Sequence, residues 1–561
     1  MDSNKLMVRD YLDSLKEDTE LDFIFPLLLT VLGYRVIVTP KQAKGNPQFG
    51  KDVIAIGKTS DGTRALFYFE LKAGSDKNID DTTMTKQDGI IDSFRTAKYV
   101  EYEDHSIPGL NELPRQFVLV HTGTVNVNAQ RTLDGFVKRE FPDGNFDHWD
   151  INHLTDLFST HLFSEYLLTD PESTRLFKRT LVLLDAPDYD LSDFYQLIEI
   201  QLRKITTVNG RSLTMFFATM NLLSAIILNY SENNNNLNPA KEAITYVVLR
   251  VWRFIIENKW ERKRPILKHF GKIVSVHSVV LQKYFNKLLP IISKRDGFYS
   301  EKGGFFEYVG GPLRTYDVLG YMIYHFTELE FKENEKDPYN KTLREEHKRI
   351  IREVINNNST CVRPLLDNHS IVICMVILYF MKRTDFSTRD RNFLHAFIKN
   401  TFDNIGLNYI YHQRLPELHS NVEALIEFVS TKMRPTAYTD SSSMLIPFLL
   451  EISVILGFQD IYENMKGEFA GVVNFQLPQF VPGSDIETIL FSDNAPDEYF
   501  TEASLTYPDS MTEALEKLKA IPIESHEWKI EKAGFPYVRL LAHHFFKNDF
   551  VPSEWRRKIL E

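Results

Sequence analysis

Only two cysteines, Cys361 and Cys374, occur in 561 residues. That excludes a disulfide framework and a cysteine-held zinc ion, and it fits a reducing compartment. Sixteen histidines are present, yet no two of them stand with an acid at a zinc-binding spacing. His543 and His544 in "LAHHFF" read as part of an ordinary helix. Long apolar runs are scarce too. "LTMFFATMNLLSAIILNY" (213–230) is broken by Thr214, Thr219, Asn221 and Ser224, and the twelve residues "SIVICMVILYFM" are too short for a bilayer. Both are expected to be buried helices. The opening "MDSNKLMVRDYLDSLKEDTELD" lacks the apolar core of a signal peptide. A cytoplasmic protein without membrane attachment is therefore expected. No internal repeat is found, so a regular solenoid is not supported.

The net charge is −11, and the first 150 residues are acidic as well, with 24 Asp and Glu against 18 Lys and Arg. Phosphate contacts are local, so this balance neither suggests nor excludes a nucleic-acid partner. With 43% apolar residues the chain can build sizeable cores, and its length implies two to four domains.

Residues 1–165 change character every ten to twenty positions, as α/β domains do. A helix is expected over 19–32, opened by Thr19 and Asp22 and stopped by Gly33, with Pro26 kinking it or moving its start. "YRVIVTP" reads as a strand, followed by the Gly/Pro-containing loop "KQAKGNPQFG". A helix over 83–101, a core strand "RQFVLVHTG", and a last strand with closing helix in "FDHWDINHLTDLF" complete the segment. From 166 to 561 long amphipathic helices such as "AITYVVLRVWRFIIENKW" predict a large all-α domain. "SENNNNLNP" (231–239) and "KENEKDPYNK" (332–341) are candidate linkers, the second a candidate division of that domain.

One stretch carries chemistry. "KDVIAIGKTSDGTRALFYFELKAG" (51–74) reads as two strands turned at "SDGT". Alternate residues of a strand share a face, so Phe67, Phe69 and Leu71 are expected on one side, and Tyr68, Glu70 and Lys72 on the other. Charged groups are rarely buried unless paired or metal-bound. Asp52 begins the partner strand, and antiparallel pairing brings it towards Glu70. Two carboxylates on neighbouring strands suit Mg2+ (or Mn2+), which takes one or two protein carboxylates and keeps several waters. Such an ion can polarise a phosphate and activate water. Lys72 would add fixed positive charge or, with a depressed pKa, help deprotonate the water. The expected reaction is phosphodiester hydrolysis.

An Asp at a strand start, Glu-x-Lys closing the next strand and an acidic helix ahead of both resemble the PD-(D/E)xK nuclease superfamily. "LDFIFPLLLTVLGYRV", "GKD" and "FYFELKAG" are most similar to Mrr-type restriction-endonuclease domains, over residues 10–165. The resemblance implies a mixed central sheet flanked by helices, Asp52 and Glu70 as metal ligands, and Lys72 as the catalytic lysine. It also implies Asp22, or alternatively Glu20, as the helix acid; both cannot face the metal, since positions i and i+2 diverge by about 200° on a helix. Lys51 stands where the superfamily's name has proline. Gln87 falls where some relatives keep a polar site residue. The implied function is a Mg2+-dependent endonuclease acting on double-stranded DNA, as the effector of a prokaryotic anti-phage system. It would act as a homo-oligomer or with a partner protein of a defence complex. Two alternatives stand: a non-catalytic nucleic-acid-binding or scaffold protein with a nuclease-like fold, and an RNA-cutting toxin.

Other motifs weigh less. "GKTS" (57–60) ends like a phosphate-binding loop, but Asp52 occupies the first glycine's position, so it reads as a turn. In "RVWRFIIENKWERKRPILK" Arg262, Lys263 and Arg264 follow Trp252 and Trp260, which could grip a nucleic-acid backbone. The competing reading is a solvated helix end with both tryptophans in the core.

Overall fold

The computed structural model describes residues 3–559 except 16, 40–51, 88, 103–106, 162–169, 185, 187–188, 206–209, 299–303, 337–340, 383–385, 442, 470–475, 481–485, 493–499 and 523–526. A five-stranded mixed sheet organises the N-terminal segment. Strands β1 (Arg35–Val38), β2 (Val53–Lys58), β3 (Arg64–Lys72), β4 (Arg115–His121) and β5 (Phe146–Trp149) lie side by side in that order. The first three pair antiparallel and the last three parallel. The β2–β3 turn closes as its sequence predicts: Asp61 accepts from Thr63 N–H at 3.1 Å and Gly62 takes φ 85°, a conformation glycine adopts without steric cost.

Parallel neighbours need crossovers. Helices α3 (Asp81–Thr85) and α4 (Ile90–Tyr99) connect β3 to β4, and α5 (Val127–Glu140) connects β4 to β5. The helix expected over 83–101 is thus two. The chain bends so sharply between them that a Cβ on Gly89 would lie 2.7 Å from the Lys86 carbonyl oxygen. Asp80 caps α3, accepting from Thr83 N–H at 2.7 Å.

Both faces of β3 are buried, as befits the central strand. On one face Ile54, Tyr68, Phe117 and Leu119 pack with Phe94 of α4 and Leu133 of α5. On the other, Phe69 meets Phe25 at 5.3 Å and Trp149 at 5.6 Å, and Phe67 meets Tyr34 at 5.0 Å. Phe25 belongs to α2 (Asp22–Val31), and behind it lie α1 (Ser3–Ser14) and α6 (Ile151–His161). The predicted division of aromatic and charged residues between the faces of β3 holds at this level. Pro26 lies inside α2, and a wider π-helical turn, Glu17–Leu21, precedes that helix. Proline lacks the N–H that would bond back to residue 22, and the α-helix begins three residues later than the pattern predicts.

The chain divides into two compact units, Met1–Val247 with His269–Val276, and Val248–Lys268 with His277–Glu561. The first therefore runs past residue 165, where the sequence changes character. Helix α1 packs along the helix Gly210–Asn233, and Lys272 meets Asp10 at 2.5 Å. The apolar run 213–230 lies within that helix, and its central residues are buried.

The second unit is mostly helical. Helix Gly311–Lys336 runs into the stretch 332–341, whose residues 337–340 lie outside the described residues. Charged pairs are buried between helices here: Glu330 binds Arg344 at 3.0 Å, and Asp390 binds Arg352 at 2.6 Å and Lys348 at 3.1 Å. Cys361 and Cys374 are buried free thiols. A departure from the all-α expectation is a two-stranded antiparallel ribbon, Gln476–Phe480 with Phe500–Thr506. Among the described residues no helix is long and apolar enough to cross a membrane.

Candidate functional site

The hairpin assembles the charged residues by register alone. Val53 pairs with Phe69 and Lys72 with His121, so Asp52 falls beside Glu70 at the same end of the sheet. Asp52 N–H donates to the Phe69 carbonyl at 3.0 Å, and Leu71 N–H donates to Asp52 Oδ2 at 2.8 Å. The first ties the Asp52 backbone to β3 and the second its carboxylate. Glu70 and Lys72 leave the same face of that strand, and Lys72 Nζ lies 2.9 Å from Glu70 Oε1. Lys72 Nζ also donates to the Leu71 carbonyl at 3.0 Å.

A residue the sequence reading passed over joins them. Glu17, on the π-helical turn, reaches Lys72 Nζ at 3.5 Å with one oxygen and accepts from Ala73 N–H at 3.3 Å with the other. The helix acids expected from the resemblance were Asp22 or Glu20. Glu20 exerts its charge on Tyr11, Asp22 sits half-buried at the start of α2, and among the described residues the carboxylates within ion-pair distance of Lys72 are Glu70 and Glu17. The one signal that could have flagged Glu17 is the density of acids: Glu17, Asp18, Glu20 and Asp22 follow closely. Which of them turns inward depends on the wide turn, which no local pattern announces.

The electrostatics follow from burial of like charges. Burial, and then the charge of Glu70, raise the Asp52 carboxyl well above the ordinary range, while Lys72 and the Leu71 N–H offset this only in part. Burial also raises Glu17, against the pull of Lys72. For Lys72, burial favours the neutral amine, but Glu70, Glu17 and Asp52 override it and lift the pKa above the ordinary lysine value. Lys72 is therefore a held cation; a depressed pKa, the condition for acting as a base, is not met.

Alongside lies a pair of imidazoles that spacing along the chain could not reveal, because 27 residues separate them. His121 ends β4 and His148 sits in β5. Their Nε2 atoms are 2.7 Å apart, with the rings within 10° of parallel and centroids 4.9 Å apart. The rings thus meet edge to edge. His121 Nδ1 lies 3.1 Å from the Lys77 carbonyl, which can only accept. That assigns the His121 proton to Nδ1 and makes its Nε2 the acceptor of the His148 N–H. Burial, then His148, push His121 down to about 4.

Among the described residues, none of the remaining candidates forms an ion pair or hydrogen bond with this cluster. Lys51 lies outside the described residues. Gln87 is exposed in the link between α3 and α4. Arg262, Lys263 and Arg264 are exposed at the start of the helix Arg264–Ile292, while Trp252 and Trp260 are buried. The tryptophans therefore belong to the core, as the competing reading had it.

Comparison with protein-family models, with curated proteins and with solved structures returns no significant match. Nor do three or more His, Cys, Asp or Glu side chains among the described residues form a ready metal cage. The donor set that does exist is Asp52 with Glu70. Burial and, after it, the charge of Glu70 raise the Asp52 carboxyl; a divalent cation would offset the negative charge of the pair, and Mg2+ takes only one or two protein carboxylates. The residues fit such an ion.

Proposed function

We propose that the sheet-bearing unit is a metal-dependent endonuclease of PD-(D/E)xK type that hydrolyses phosphodiester bonds, with double-stranded DNA as its substrate. The observation that carries this reading is the convergence of Asp52, Glu70 and Lys72 at one end of the β2–β3 hairpin. In it Asp52 and Glu70 would hold Mg2+ or Mn2+, which when bound supplies Lewis acidity and an activated water. Asp52 is held for this by the Leu71 N–H. Lys72 keeps its proton and offers fixed positive charge to the phosphate as negative charge builds on it. Glu17 orients the ammonium from the other side. The DNA preference and the link to anti-phage defence rest on the resemblance alone.

One observation favours a second reading. The Lys72 ammonium is paired with two carboxylates, as in a closed structural ion-pair cluster, and a nuclease-like fold used only for binding would look the same. Plasmid cleavage by the full chain with Mg2+ or Mn2+ separates the two. The nuclease reading expects nicking or cutting that Lys72→Ala and Glu70→Gln abolish while circular dichroism stays unchanged. Full cleavage by a folded Lys72→Ala protein discards it. Parallel assays on single-stranded RNA and duplex DNA decide the substrate.

A further inference from the structure

A cavity of about 360 Å³ opens in the second unit, between the helix Gly311–Lys336, the segment entering the helix His369–Phe380, the start of the helix Val422–Thr431 and the end of the helix Val538–Phe546. That volume lies in the range of about 300–1,000 Å³ typical of small-molecule sites. Leu313, Leu366, Ile371, Val372 and Val422 give it an apolar wall. The charged groups that reach it are already engaged. Asp317 is paired with His544, whose Nε2 lies 3.5 Å from its carboxylate, and Lys547 likewise interacts within the protein. The cavity therefore offers no spare charge to a ligand.

What it does offer is uncharged, and it comes from two consecutive residues. Asparagine is a favoured helix cap, and Asn368 stands at the start of the helix His369–Phe380, yet its side chain makes no capping hydrogen bond. Among the described residues the Asn368 carboxamide pairs with no other group, and the residue lines the cavity instead. His369 beside it is only 6% exposed. Its ring lies flat on Tyr316, with centroids 3.9 Å apart and planes 18° apart, and the Tyr316 hydroxyl donates to the Cys361 carbonyl at 3.1 Å. His369 Nδ1 accepts from Leu365 N–H at 3.2 Å, so the neutral ring carries its proton on Nε2. Among the described residues that N–H has no acceptor, and a buried donor without a partner costs free energy until a ligand supplies one.

These groups define a shape of ligand. A carboxamide places one donor and one acceptor side by side, and it pairs at two points with an edge carrying the complementary couple, as asparagine does with adenine. Amide and amidine edges of flat nitrogen heterocycles have that couple. Their apolar faces suit the leucine, isoleucine and valine wall, and a further ring nitrogen or carbonyl can accept from the fixed His369 N–H.

We propose that this cavity binds an uncharged nitrogen heterocycle with an amide or amidine edge, a nucleobase or nucleoside, through Asn368 and His369 Nε2. The helical unit is thereby a ligand-binding module, independently of whether the other unit cleaves nucleic acid. Isothermal calorimetry on the full chain with adenine, hypoxanthine, uracil and cytosine, with their nucleosides, with the matching 5′-monophosphates and with indole tests this. At least one base or nucleoside should bind at one site per chain, and its monophosphate no more tightly. Asn368→Ala removes no side-chain hydrogen bond among the described residues, so it should weaken binding at least tenfold while leaving the melting temperature unchanged. Val422→Trp, which fills the cavity from a half-buried position, should abolish binding. Absence of binding by every base and nucleoside, unchanged affinity in Asn368→Ala, or tighter binding of indole or of a monophosphate overturns the proposal.

Discussion

Lys72 Nζ stands 2.9 Å from Glu70 Oε1, both side chains leaving one face of one strand and both buried. An ion pair so placed costs desolvation on both partners, and removing one member leaves the other buried without its counter-charge. Lys72→Ala should therefore lower the stability of the metal-free protein by about 3 kcal/mol while leaving it folded. Denaturant titration with and without Mn2+ checks this: if Asp52 and Glu70 hold the ion, Mn2+ recovers part of the loss.

Asp52 gives the opposite sign. Its folded-state pKa is raised above the unfolded value, so its contribution is favourable below about pH 4 and is lost as pH rises through the folded pKa. At neutral pH the ionised group is a cost. Asp52→Asn keeps an acceptor for the Leu71 N–H and removes the charge, so it should stabilise the metal-free protein at pH 7 and have little effect at pH 3.5. Thermal melts at the two pH values measure the difference. A variant destabilised at pH 7 would contradict the crowding of Asp52 by Glu70.

Glu17, Glu20 and Asp22 can be ranked by function. Glu17 is part-exposed at its pair with Lys72, so Glu17→Gln should cost under about 1 kcal/mol in stability. Under the proposed nuclease it should slow cleavage about tenfold by loosening the Lys72 ammonium, a loss of about 1.4 kcal/mol in transition-state stabilisation. Glu20→Gln should have less effect on rate. If Asp22→Asn proves the slowest of the three, the inherited choice of helix acid is right and Glu17 is structural.

His121 makes stability depend on acid. Its folded pKa is pushed down to about 4, below the unfolded value near 6.5. The sign is therefore stability present above about pH 6.5 and lost as pH falls towards 4. The loss should be about 2–3 kcal/mol between those values, because a buried imidazolium, and one placed beside His148, is disfavoured. Comparing wild type with His121→Leu across pH 4–7 isolates it: the variant should show a shallower fall in melting temperature.

The hairpin, its aromatic face and the pairing of Asp52, Glu70 and Lys72 were legible in the sequence. A strand alternates with period two, and a two-strand turn at "SDGT" fixes register over a short separation. The five-strand order was legible more coarsely, through the alternation of element types. The break between α3 and α4 escaped because one helix was expected straight across Gly89, and the crowding around that residue arises only in the folded chain. The ribbon Gln476–Phe480 with Phe500–Thr506 escaped because Pro478 breaks its strand pattern.

What the residues settled alone was local: which stretches form strands and helices, which face of β3 is apolar, and which three charges share its end. Tertiary structure decided that Glu17 supplies the second carboxylate to Lys72, that His121 and His148 meet, and that Lys547 and His369 line one cavity. Those meetings depend on crossovers and helix packing that bring distant positions together. Short-range periodicity carries no record of such distances, so only the folded chain specifies them.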